Sequence, residues 1–256
     1  MRKRLQNITS AINTLAALAA LLILWQIVCV MGIVPGFMLP SPVQVARAFA
    51  GDFPLLMSHL RVTLTEAFAG LFCGVAFGFV MAVLMDRFDR LYKAFYPLVV
   101  LTQTVPAVAV APLLVLWFGY EMMPKIILIV ITTFFPVTVG VLTGLRSADR
   151  DTMNLLRSMG AGSFQIFRYV KLPGAMGQFF SSLRISAAYS VVGAVISEWL
   201  GGFNGLGVYK TRVKQAFAFD KMFAVIFLIS VISLLLMKLV DFIQKKCMPW
   251  EDAHES

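Results

Sequence analysis

The sequence predicts an all-α membrane protein, a polytopic helix bundle with about six transmembrane helices and both termini cytoplasmic. Three observations carry this expectation. The 256 residues are 59% hydrophobic and only 14% charged, with a mean hydropathy of +0.84; soluble domains average about 45–50% apolar and about 25% charged. Six apolar runs of roughly 20 residues recur along the chain, the length a ~30 Å hydrocarbon core demands. Lysine and arginine are distributed unevenly between alternate loops, which sets orientation in a bilayer.

The first run extends from about Ile12 to Met31, behind Arg2, Lys3 and Arg4. It is longer than the ~7–15 residue core of a signal peptide, and no small-x-small cleavage site follows. It therefore reads as a retained span with its basic end inside. The prolines and polar residues of "VPGFMLPSPVQVARAFAGDFPLLMSHL" predict an extended stretch and a short surface helix on the outer side. Residues 1–62 make an N-terminal section, residues 63–246 a transmembrane domain, and residues 247–256 a cytoplasmic tail. The further spans cover about 63–85, 95–118, 125–145, 178–198 and 222–244. With the N-terminus inside, fifteen lysines and arginines fall on the cytoplasmic side and seven outside. Lys210, Arg212 and Lys214 in "YKTRVKQAF" run against that trend.

Small residues predict how the spans pack. Gly70, Gly74, Gly78 and Ala82 form one ridge in the second span. Gly140 and Gly144 repeat it in the fourth, and Ser182, Ser186, Ser190, Gly193 and Ser197 stripe the fifth. Such ridges let helix backbones approach closely; the serine stripe is also compatible with a pore lining. The third span carries Thr102, Gln103 and Thr104 just before Pro106, with Pro112 beyond. Proline removes a backbone donor, so a kink is expected there, either satisfied by neighbouring helices or lining a pathway. Glu198, at the outer end of the fifth span, either caps the glycine-rich turn after it or lines an outer vestibule. Gly201, Gly202, Gly205 and Gly207 predict non-helical backbone in that turn.

Residues 146–175 form an insert between spans four and five. Ser147, Asp149 or Asp151 can cap a first short helix whose apolar face is Leu155, Leu156 and Met159. Gly160 and Gly162 bracket a break. Ser163 can cap a second helix with Phe164, Phe167 and Val170 on one side, and Pro173 is expected to stop it. Such a pair is too short to be a domain and too polar to enter lipid. Its aromatic face can lie on a membrane surface, pack beneath its own bundle or dock into a groove on another protein.

The insert resembles the cytoplasmic signature loop of ABC importer permeases: Glu-Ala-Ala, three residues, Gly, nine residues, Ile-x-Leu-Pro. Gly160 takes the glycine place, and Val170, Lys171, Leu172 and Pro173 fill the last four places at the same spacing. Asn154, Leu155 and Leu156 stand where Glu-Ala-Ala would be, a departure that removes the motif's acid. "LPSPVQVARAF" and "SEWLGGFNGLGVYKTRVKQAFAFDKMFAVIFLIS" resemble the nitrate, sulfonate and taurine branch of these permeases, and within it permeases for the pyrimidine precursor of thiamine.

That resemblance implies a binding-protein-dependent permease of the type I fold in a bacterial inner membrane. Its partners would be ABC ATPase subunits, an extracytoplasmic substrate-binding protein and a second permease copy, simplest as a homodimer. The insert becomes the coupling helix, with Asn154, Gly160, Ala161, Gly162, Phe164, Phe167, Leu172 and Pro173 as its ATPase-coupling residues. Thr102, Gln103, Thr104, Pro106, Ser190 and Glu198 are the expected lining of the translocation path. ATP and magnesium would sit on the partner ATPase, and no cofactor is expected on this chain. The cargo implied is the thiamine pyrimidine precursor, with nitrate, sulfonate or taurine as the alternative.

Other functions lack their residues. GxxxxGK[ST], HExxH and GxSxG are absent from the sequence. Cys29, Cys73 and Cys247 have no metal or disulfide spacing. The net charge of +9 follows from loop lysines and arginines rather than nucleic-acid binding. An intramembrane lipid enzyme would have to use Asp86 and Asp89 of "MDRFDR", where interleaved Arg87 and Arg90 read better as an interfacial charge cluster.

Overall fold

The computed structural model describes residues 2–32, 34–36 and 38–249, with side chains described at 13 and from 16 onward. The side chains of Arg2, Lys3 and Arg4, and the end of the expected tail beyond 249, lie outside it. The helices are α1 (Arg2–Val30), α2 (Pro42–Gly51), α3 (Phe53–Arg87), α4 (Asp89–Thr102), α5 (Ala107–Phe118), α6 (Met122–Arg146), α7 (Arg150–Ser158), α8 (Ser163–Ile166), α9 (Leu172–Gly201), α10 (Leu206–Gln215) and α11 (Phe219–Cys247). A π-helical turn, Phe167–Lys171, joins α8 to α9, and no strand occurs among the described residues. Helix α3, helix α6, the run Ser163–Gly201 and helix α11 are each long and apolar enough to cross a membrane. The bent pair α4 and α5 makes a fifth such unit, and Ala16–Val30 is a shorter apolar helix.

The chain divides into two compact units. The smaller comprises residues 1–57 and 209–228. Here Ser41 and Gln44 form a capping box at the start of α2, at 3.3 and 2.8 Å, and Pro42 opens the helix where its missing N–H costs nothing. Asp52 follows α2 and accepts from Lys221 at 2.8 Å and from the Tyr209 hydroxyl at 2.7 Å. Those bonds, Lys221's first, hold the Asp52 carboxyl below its ordinary value, while burial and the same carboxylate push the Tyr209 phenol up. Trp25 packs on Phe223 and Phe227. The basic run of the sequence lies on α10, with Arg212 and Lys214 in its last turn, where the helix dipole favours cations.

The larger unit comprises residues 58–208 and 229–256, and its centre is α3, α6 and α9. Their small residues are there because nothing larger fits. A Cβ on Gly74 would stand 2.1 Å from Thr133 Oγ1, and one on Gly78 2.7 Å from the Phe134 carbonyl oxygen. Between α6 and α9, a Cβ on Gly140 would meet Ser182 at 2.6 Å, and one on Gly144 would meet the Ala175 Cα at 2.7 Å. The serine stripe of α9 faces this packing: Ser182, Ser186, Ser190 and Ser197 are all buried. Ser186 donates across to the Thr133 carbonyl at 2.9 Å, and the other three donate within α9. Between Ser182 and Ser186 on α9, Arg184 binds Asp241 and Gln244 of α11.

Several expectations need correction. The third apolar run, 95–118, is not one kinked helix: α4 and α5 meet at 97° across Gln103–Pro106. Pro106 excludes the residue before it from the helical region. Pro97 and Pro112, inside α4 and α5, do not break them. Ser163 is the first residue of α8, not its cap; that place belongs to Gly162, whose N–H donates to the Gln165 side chain at 2.8 Å. Pro173 begins α9 rather than stopping a helix. The widened π turn just before it accommodates a ring that would otherwise clash with a carbonyl one turn back. Gly201 and Gly207 are helical, the one ending α9 and the other within α10, so only Gly202 and Gly205 keep the expected non-helical backbone.

The Gly144 contact is with backbone and cannot yield by a rotamer change. Gly144→Val is therefore expected to lower stability by about 1–3 kcal/mol, as overpacking does. Gly174→Ala, in open space on the same stretch, is the control and should not lower it. Thermal unfolding of the detergent-solubilised protein checks the pair.

Candidate functional site

Three arrangements in the larger unit combine irregular backbone with polar chemistry. The first is a cavity of about 260 Å³ at the α4–α5 break. Thr102, Gln103 and Pro106 line it from the break, Thr132 from α6, and Tyr189 and Gly193 from α9. The Thr102 and Thr104 hydroxyls donate to the Val99 and Leu101 carbonyls at 2.7 and 2.8 Å, satisfying acceptors the bend releases. No charged side chain is among the residues lining this cavity. Of the path residues expected from the sequence, Thr102, Gln103 and Pro106 come together here. Thr104 is exposed beside the cavity without lining it, and Ser190 is fully buried in α9.

Glu198 lies elsewhere. Its side chain is buried, and it anchors the start of α10. Three successive backbone N–H groups there are each taken by a different side chain. Gly205 N–H donates to His59 Nδ1 at 3.0 Å, Leu206 N–H to Thr63 Oγ1 at 2.9 Å, and Gly207 N–H to Glu198 Oε2 at 2.7 Å. The Thr63 hydroxyl in turn donates to Glu198 Oε1 at 2.6 Å. A helix start leaves its first N–H groups without internal partners and attracts negative charge, so a carboxylate suits the place. Gly205, at φ +117, stands so close to Glu198 that a Cβ would overlap the carboxyl group. Of the two roles the sequence left open for Glu198, this is the capping one.

Beside it, Lys125 Nζ donates to Glu66 Oε1 at 2.6 Å, with side chains 7% and 4% exposed. Both lie within electrostatic reach of Glu198. The sequence reading missed His59, Thr63 and Glu66, and counted Lys125 as a loop charge. A signal was available: His59, Thr63 and Glu66 follow each other at spacings of four and three, one face of a helix.

The third arrangement is the insert. Asp149 caps α7, accepting from the Asp151 and Thr152 N–H groups at 3.3 and 3.0 Å and from the Thr152 hydroxyl. These bonds hold its carboxyl below the usual range. Asn154 sits mid-helix and accepts from Arg157 at 3.1 Å. Gly160, at φ +86, makes the turn that only glycine takes readily, and Ala161 and Gly162 continue it. Ile166 packs inward, whereas Leu155, Met159, Phe164 and Tyr169 are all more than 60% exposed. Phe167, Leu172 and Pro173 are half-buried at the root. Asp86 and Asp89 are not a catalytic pair: each binds a different cation, Asp86 with Lys171 and Asp89 with Arg146.

Among the described residues, several helices long and apolar enough to cross a membrane, with no strand, define a multi-pass membrane protein of the all-helical class. Residues 74–248 match the family model described as "binding-protein-dependent transport system inner membrane component". The chain belongs to that family, the permease components of ABC importers. It is 36% identical to the formylaminopyrimidine transport permease of Halalkalibacterium halodurans, over 90% of this chain and 92% of that one. It is 30% identical to the taurine transport system permease of Escherichia coli, over 96% and 90%. Among solved structures, an inward-facing methionine ABC transporter matches with a TM-score of 0.68 at 20% identity, covering 77% of this chain and 97% of that one.

The Glu66–Lys125 pair yields a stability prediction. Lys125→Met leaves a buried carboxylate without its partner and should cost about 3–5 kcal/mol, whereas replacing both, Lys125→Met with Glu66→Leu, should recover most of the loss. Unfolding midpoints of the two variants against the parent measure the difference.

Proposed function

We propose that this permease forms half of a transmembrane pathway and couples it to a partner ATPase through the insert at 146–175. The observation that carries the reading is the insert's surface. Leu155, Met159, Phe164 and Tyr169 expose apolar side chains on a segment that also carries Arg157, Arg168 and Lys171. An amphipathic surface of this kind suits helix-in-groove docking. Asn154, Gly160, Ala161, Gly162, Phe164, Phe167, Leu172 and Pro173 are assigned to that contact and its geometry. ATP and magnesium belong to the ATPase, and this chain's part is mechanical.

The rest of the assembly follows from the family. A second copy of the permease completes the pathway, a binding protein delivers cargo from outside, and the location is the bacterial plasma membrane. Six spans are assigned, with α1 the first and the α4–α5 pair the third, both termini inside. Residues 1–62 serve as the N-terminal span and outer section, 63–246 as the transmembrane domain, and 247–256 as the tail. The cavity at Thr102, Gln103 and Pro106 is assigned to the path, with Thr104 beside it and Ser190 within α9 behind it, while Glu198 is assigned to the outer end of the path, where it holds the α10 start.

The cargo assigned is the pyrimidine precursor of thiamine. The relative that is 36% identical is named for formylaminopyrimidine transport. A cavity lined without charged side chains suits a neutral, flat, hydrogen-bonding solute better than an anion such as nitrate or an alkyl sulfonate.

Purification in mild detergent followed by mass spectrometry tests the assembly. A stoichiometric ATPase is expected, and a chain that purifies alone from several detergents contradicts the reading. Gly160→Pro is expected to abolish ATP-driven uptake while the protein still inserts. Proline requires φ near −65°, and this residue stands at +86°. Full uptake by that variant would remove the insert from the mechanism.

A further inference from the structure

Both roots of the insert are fastened to one place. Arg146 ends α6 at the first residue of the insert, and Lys171 ends the π turn near the insert's last residues. Arg146 Nη2 donates to the Met85 carbonyl at 3.3 Å, and its guanidinium lies 3.5 Å over the ring of Tyr92. Lys171 Nζ donates to both carboxylate oxygens of Asp86, at 2.9 and 2.8 Å. Met85 and Asp86 are near the end of α3; Tyr92 is in the first turn of α4. The two attachments therefore meet at the α3–α4 corner, one from each side of the insert.

The chemistry of the Lys171–Asp86 pair sets it apart from an ordinary surface contact, which contributes little. The Asp86 side chain is only 8% exposed, so its charge is shielded and depends on Lys171. Both oxygens are engaged, which fixes direction as well as distance. The lysine's aim is set by the π turn, a feature that re-directs side chains and recurs at functional positions. At the corner Phe88 joins the two helices in extended backbone, at φ −125 and ψ 103. From that corner α4 runs directly to the Thr102–Pro106 break and its cavity.

A single attachment would let the insert swivel about one point. Attachments at both roots pass on its displacement as well. We propose that the Asp86–Lys171 pair, with Arg146 at the opposite root, is the positioning link that carries movement of the insert into α4 and so reshapes the cavity at the α4–α5 break. The proposal rests on the insert being the ATPase-docking surface.

The test needs no knowledge of the cargo. The permease–ATPase complex is prepared in nanodiscs with Cys29, Cys73 and Cys247 replaced by serine and Gln103→Cys as a reporter in the cavity. The rate of labelling by a soluble maleimide is measured without nucleotide and with ATP and vanadate. In the parent the rate is expected to change with ATP. In Asp86→Asn that change should shrink roughly tenfold, within the usual range of coupling between sites, while ATP hydrolysis continues. The exchanged pair, Asp86→Lys with Lys171→Asp, should restore it, which loss of folding alone would not allow. A full ATP-dependent change in Asp86→Asn, or no restoration in an assembled exchanged pair, overturns the link. Lys171→Gln is run alongside and decides the matter if Asp86→Asn fails to assemble. A parent complex that hydrolyses ATP with no change at Gln103→Cys overturns the link alone, whereas a parent that binds no ATPase overturns the docking reading and the link with it.

Discussion

Inside a bilayer the backbone has no water to bond to, and every N–H and C=O must find its partner within the protein. The rest of this structure depends on that constraint. It accounts for the long apolar spans being helical. It also accounts for what stands at the exceptions. At the α4–α5 break, threonine hydroxyls take up carbonyls beside the bend. At the Gly202–Gly205 break, His59, Thr63 and Glu198 receive three consecutive amides. The second solution buries a carboxylate, and a buried charge needs company. Lys125 and Glu66 supply the neighbouring charges, so one irregular turn organises polar residues from α3, α6 and α9.

The same exceptions are where the proposed function is placed. A helix broken at 97° offers a cavity wall that a straight helix cannot. A glycine turn at φ +86 lets two short helices fold back beneath the spans. Neither feature supplies energy. In an importer the ATPase biases one arrangement of the bundle over another through its differential affinity for the two. The permease needs joints that move and joints that do not. The close α6–α9 packing at Gly140 and Gly144 is of the second kind, because backbone meets side chain and backbone there with no space to slide. The α3–α4 corner, where Asp86 binds Lys171, is the one proposed to carry movement.

Much of this was legible in the sequence, and what was not has a physical reason. Apolar helices, the short helix at 42–51, the glycine ridges and the break at 160–162 all arise from local composition and spacing. The departure at Pro173 arose because a π turn leaves no local signature; without it, a proline after an amphipathic helix reads as a stop. The polar anchors were missed for a different reason. Lys125 lies 59 residues from Glu66, Lys171 lies 85 from Asp86, and Gly205 lies 146 from His59. Each residue alone looks like a loop charge or an isolated polar group. Only the fold makes them pairs. The cargo is less legible still, since relatives of similar likeness carry names for a pyrimidine and for taurine.

The central claim is that the exposed face of the insert is a protein-docking surface. The most direct measurement places a photoactivatable phenylalanine analogue at Phe164 and irradiates native membranes that contain the assembled transporter. The account predicts one dominant crosslink, to an ABC ATPase, with none when the analogue replaces exposed Phe72, in the middle of α3, instead. Crosslinks from position 164 to lipid or to the permease itself, with none to an ATPase, would contradict it.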